Sequence, residues 1–169
     1  MKLHSIAIGV VLGAGAVAAQ AAAHSFVMPL APQTPYGAFA TVSSPSFIDT
    51  WSFTTPANTG TVSASVISVD ITSYWNIDSI DIDLFMGTVG NGTLVASGVP
   101  GESSKLENII ALASTDYYYQ VTGNVVGASN GSYAFSAVAA PVPEPETYAM
   151  MLAGLGAVGF IAFRRRRQD

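Results

Sequence analysis

Apolar and polar residues alternate with a period of two through the middle of this chain. The clearest run sets Ile80, Ile82, Leu84 and Met86 against Ser79, Asp81, Asp83 and Phe85. Successive side chains of a strand point to opposite faces, so the run predicts a strand with one buried side. Phe47, Asp49, Trp51 and Phe53 share a face in an earlier run, with Ile48, Thr50, Ser52 and Thr54 on the other. Val62, Ala64, Val66 and Ser68 alternate likewise with Ser63, Ser65, Ile67 and Val69. Further strands are predicted over residues 93–97, 106–112, 117–122 and 132–138. Turn chemistry separates them at Asn58-Thr59-Gly60, Gly90-Asn91-Gly92, Pro100-Gly101, Gly123-Asn124 and Asn130-Gly131. About seven or eight short strands with frequent turns predict an all-β, antiparallel sandwich over residues 46–140. Residues 24–45 read as a Pro-rich lead-in, residues 71–78 as a surface loop, and residues 137–142 as the start of a small-residue linker.

Both ends of the chain abandon this period. Lys2, an apolar stretch from Ile6 to Ala19, and the small residues Ala21, Ala22 and Ala23 have the order of a secretory signal peptide. This leader helix occupies residues 1–23. Cleavage after Ala23 leaves His24 first; cleavage after Ala21 is the rival. At the other end, residues 141–169 hold Pro143, Glu144 and Pro145, then 16 uncharged residues from Tyr148 to Phe163, then Arg164, Arg165, Arg166 and Arg167. At about 1.5 Å per residue the uncharged run spans roughly 24 Å, against a bilayer core of about 30 Å. It is read as a single transmembrane helix, slightly short for a permanent anchor, that local thinning accommodates. Clustered guanidiniums stay on the cytoplasmic side, which places the body outside.

A proline-flanked glutamate, a short greasy helix and a basic end, in that order, resemble the sorting signal of PEP-CTERM proteins. The resemblance departs from the usual pattern at Glu146, which precedes Thr147, and so leaves the cleavage position open. It implies an exosortase, a membrane protease-transpeptidase, as partner. It also implies export across the inner membrane of a Gram-negative bacterium and at least transient residence in the membrane. Delivery to the cell surface or a biofilm matrix of exopolysaccharide then follows. The succession Asp49-Thr50-Trp51-Ser52-Phe53, Asp81-Ile82-Asp83-Leu84-Phe85, Tyr117-Tyr118-Tyr119 and Gly131-Ser132-Tyr133-Ala134-Phe135 resembles the bacterial pre-peptidase C-terminal domain. That likeness, over about Phe47 to Val138, implies a jelly-roll-like sandwich and a secreted context, not a reaction. The stretch Phe47-Ile48-Asp49-Thr50-Trp51 is also similar to the FxDxF group of PEP-CTERM proteins, with tryptophan at the second aromatic position.

Charge and composition narrow the function classes. From His24 to Ala140 there are eight acids (Asp49, Asp70, Asp78, Asp81, Asp83, Glu102, Glu107, Asp116) and one base, Lys105, a net −7. Nucleic acid would be repelled. With no cysteine there is no disulfide, thiol nucleophile or thiolate metal site. His4 leaves with the leader, so His24 is the sole histidine of the mature body. A terminal histidine is shared with copper-brace enzymes, but their second histidine is missing. General acid–base constellations, phosphate loops and His-rich metal spacings are all absent from the sequence. The expectation is a non-enzymatic protein without a cofactor.

Two groups of residues carry a binding alternative, an adhesion module on the same delivery tail. Asp81 and Asp83 lie two apart on a strand, with Asp78 at its entrance, and could offer oxygen ligands to Ca²⁺. Their competing reading is a solvated strand face. Tyr74 and Trp75 are candidates for stacking on sugar rings, whereas Tyr117, Tyr118 and Tyr119 read as core packing.

Overall fold

The computed structural model describes residues 22–43, 45–71, 73–126, 128, 130–142 and 145–165. These residues form nine strands and a C-terminal helix. The strands are β1 (Ala22–Val27), β2 (Tyr36–Ser43), β3 (Ser46–Thr54), β4 (Thr59–Ser68) and β5 (Ile77–Met86). They continue with β6 (Thr93–Ser97), β7 (Ser103–Ile110), β8 (Asp116–Val125) and β9 (Asn130–Pro141); the helix α1 runs over Pro145–Arg165. A five-stranded sheet has the order β1-β3-β8-β5-β6, and a four-stranded sheet the order β2-β9-β4-β7. All pairings are antiparallel except β1 with β3, which run the same way.

The core lies between the sheets, and the alternation explains which side chains enter it. Phe47, Trp51 and Phe53 point inward from β3, Ile80, Ile82 and Leu84 from β5, and Tyr119 and Val121 from β8. Val62 and Val66 of β4 and Tyr133 and Phe135 of β9 meet them from the other sheet. Trp51 forms the centre, sandwiched between Phe26 and Phe135 at ring separations of 4.1 and 4.6 Å. Buried aromatic pairs of this kind add about 0.5–1.5 kcal/mol each beyond their area. Tyr118 takes the outer face and stacks on Phe85 at 5.0 Å, so the three consecutive tyrosines are all buried.

Three sequence expectations need correction. The Pro-rich lead-in is not outside the fold, because β1 and β2 draw on it, with residues 28–35 connecting the two strands. Residues 137–141 are not a linker but the end of β9, paired to β4, with Ala137 and Ala139 buried. The strand expected over residues 106–112 begins and ends earlier, at Ser103 and Ile110. A bulge against Val62 and Ala64 and a positive φ at Asn108 interrupt its alternation there.

The sandwich has two ends. At the near end lie the connections β1–β2, β3–β4, β5–β6 and β7–β8, and there β9 finishes. At the far end lie the connections β4–β5, β6–β7 and β8–β9, together with the start of β1.

Candidate functional site

The sorting segment begins where the last strand ends. Beyond Pro141, the Val142 amide donates to the Asn58 carbonyl at 3.0 Å, across the β3–β4 turn. Gly60 makes room for this contact. A Cβ at Gly60 would stand 2.7 Å from Val142 Cγ2 and 3.1 Å from its backbone nitrogen. Pro143 and Glu144 lie outside the described residues, as do Ala21 and the arginines Arg166 and Arg167. Pro145 is the first residue of α1, a position where its missing N–H costs nothing and its fixed φ suits the helix. The helix includes Tyr148 and Phe163 and reaches Arg164 and Arg165. Among the described residues, no helix is long and apolar enough to cross a membrane. The helix thus forms over the expected segment.

A second cluster lies in the core. Asp49 follows the inward face of β3 and is 0% exposed. A carboxylate buried without partners costs several kcal/mol, so its two oxygens need donors. Tyr133 Oη donates to Oδ2 at 2.7 Å, and His24 Nδ1 donates to Oδ1 at 2.8 Å. Trp51 Nε1 in turn donates to Tyr133 Oη at 3.1 Å. Burial first, and the Asp49 charge second, hold the Tyr133 phenol well above its ordinary range, which keeps its proton available. The relay joins β1, β3 and β9, hence both sheets. Sequence reasoning did not assemble it, although an acid on the Phe47–Trp51–Phe53 face was the available signal.

His24 therefore has a structural partner. Its Nδ1, the atom that would close a six-membered chelate with a terminal amine, faces Asp49 instead. Ala23 precedes it in β1, opposite Ile48.

The three acids weighed for calcium are not gathered. Asp81 Oδ1 accepts from Ser104 Oγ at 2.7 Å and from the Ile82 amide at 2.8 Å, while Asp78 is exposed. Asp83 Oδ1 is buried without a hydrogen-bond partner. Among the described residues, no group of three or more His, Cys, Asp or Glu side chains could hold a metal ion. Tyr74 is 62% exposed and Trp75 half-buried, on the far end. Their loop is held by the Val126 amide on the Asn76 carbonyl and the Asn76 amide on the Asn130 carbonyl.

A family model for the PEP-CTERM protein-sorting motif matches residues 141–167. The chain carries this signal, the mark of an exported protein addressed to an exosortase and processed at the membrane of a Gram-negative bacterium. No curated protein matches the chain. Among solved structures it is similar to the pre-peptidase C-terminal domain of collagenase from Bacillus anthracis, at 15% identity and a TM-score of 0.41. That match covers 70% of this chain and 96% of the other. It is also similar to the Yersinia pseudotuberculosis-derived mitogen, at 11% identity and a TM-score of 0.40, over 66% of this chain and 92% of the other.

Proposed function

We propose that this is a non-enzymatic protein of the cell surface or extracellular polymer matrix, delivered and processed through its C-terminal signal. One observation carries the reading: the sorting motif starts directly at the end of a strand pinned to the body by Val142. The uncharged stretch of α1 seats in the bilayer, at least transiently, with the arginines on the inner side. Its roughly 24 Å length suits a segment that is to be cut rather than kept. A non-enzymatic body is supported by the engagement of its one mature histidine with Asp49 and of Asp81 with Ser104. Intact-mass measurement of the mature protein tests the reading. Loss of Arg164 to Arg167 is expected, and replacement of Pro143, Glu144 and Pro145 by alanine should leave a retained precursor. Full-length protein lodged stably in envelopes that contain exosortase would refute it.

A second reading, glycan binding by the displayed body, is favoured by the exposure of Tyr74 at the end away from the sorting helix. Stacking on sugar rings would use that ring and Trp75. Pull-down by exopolysaccharide that is unchanged in Trp75→Ala would count against it.

A further inference from the structure

The two ends of the sandwich differ in charge, and one of them is tied to the sorting helix. The four near-end connections, residues 28–35, 55–58, 87–92 and 111–115, contain no Asp, Glu, Lys or Arg. Aliphatic side chains stand out around them: Val27 is 83% exposed, Ile110 80% and Leu112 61%, and Val89 and Val142 are exposed as well. Within the body the acid at this end is Asp116, whose Oδ1 accepts from Thr54 Oγ1 at 2.7 Å; Glu144 and Glu146 follow in the sorting segment. The far end also exposes apolar residues, Ile71, Val99 and Val126 among them, but intersperses Asp70, Asp78 and Glu102. Exposed apolar area alone does not separate the ends. Charge does.

Connectivity adds an independent constraint. Val142 is hydrogen-bonded at the near end, and α1 starts three residues later at Pro145. Three residues of extended chain reach at most about 11 Å. A helix seated in the bilayer therefore holds the near end beside the lipid headgroups. There, aliphatic side chains gain about 25 cal/mol for each Å² removed from water, whereas a carboxylate would lose its hydration.

We infer that the near end is a lipid-contacting surface, with Val27, Val89, Ile110 and Leu112 in the headgroup layer while α1 occupies the membrane. The acidic far end points outward, about 30 Å away for a nine-residue strand such as β3. This inference rests on the reading of α1 as membrane-seated.

Because the chain lacks cysteine, single labels can be introduced cleanly. Full-length protein with Leu112→Cys, Glu102→Cys or Leu155→Cys, each bearing an environment-sensitive fluorophore, is reconstituted into phosphatidylglycerol–phosphatidylethanolamine vesicles containing doxyl-labelled lipid. Quenching is expected at Leu112 and Leu155, and none at Glu102. An unquenched Leu155 label would remove the membrane reading of α1 and this inference with it. Quenching at Leu155 with none at Leu112 would overturn the inference alone. Shielding of Leu112 that arises solely when exosortase is added would assign the face to protein, and would equally overturn it.

Discussion

Tyr133 Oη donates to Asp49 Oδ2 at 2.7 Å, a bond between residues 84 apart that crosses from one sheet to the other through the core. Hydrogen bonds to a buried charge contribute about 1.5–3 kcal/mol. Tyr133→Phe should therefore destabilise the body by about 2 kcal/mol in urea unfolding, with little change of shape. Because the two groups act together, Tyr133→Phe and Asp49→Asn combined should cost less than their separate effects added. Strict additivity would show that they are energetically independent.

Burial raises the Tyr119 phenol, and burial aided by Asp49 raises that of Tyr133, both above the ordinary value of 10.0. The folded state thus prefers these phenols protonated. Their contribution is fully present below pH 10 and is lost as pH rises beyond it, when the unfolded chain releases protons that the folded one keeps. Each group contributes a slope of about −1.4 kcal/mol per pH unit in that window. Unfolding titrations from pH 9 to 12 should show the fall, and Tyr119→Phe with Tyr133→Phe should flatten it.

Strand β1 is attached by side chains as well as by its ladder. His24 meets Asp49, Ser25 Oγ lies 2.9 Å from Thr50 Oγ1, and Phe26 stacks on Trp51. His24→Ala should cost about 1–3 kcal/mol by leaving one oxygen of a buried carboxylate short of a donor. Terminal mass spectrometry of the mature protein should find Ala22 or His24 first. A terminus beyond His24, in a protein of full stability, would contradict the role assigned to it.

At the other end of the body, Gly60→Ala should push Val142 off Asn58 without reaching the core. Loss of one backbone hydrogen bond, about 1 kcal/mol, predicts a several-fold faster exchange of the Val142 amide. Amides of β9 farther in, such as that of Phe135, should be unaffected. Uniform acceleration through β9 would mean that the strand frays as a unit instead.

The central strands were legible because their faces differ so sharply. The expected strand over residues 93–97 coincides with β6, and the alternation around Ile80 and Trp51 gives β5 and β3 to within two residues at either end. Small residues hid the rest. β9 lies inside its sheet, and its Ala137 and Ala139 fit a core already filled by large neighbours, so a buried strand looked like a linker. In β2 the conspicuous residue, Phe39, points to solvent, while Ala40 and Val42 are inward, and the prolines before it mark a lead-in. The Asp49 relay was half legible: periodicity placed the acid among aromatics, but its donors lie 25 and 84 residues away. No local pattern encodes that distance.

The parallel course of β1 also decides at which tip the strand begins. Its first residue sits at the tip opposite the helix that follows Val142. Ala22 pairs there with Phe47, whereas Val142 is tied to Asn58 at the opposite tip. His24, two residues into the strand, reaches Asp49 from the Ala22 tip. The interior carboxylate thus draws one of its two donors from the third residue of the edge strand, so whatever frees that strand also uncovers a buried charge.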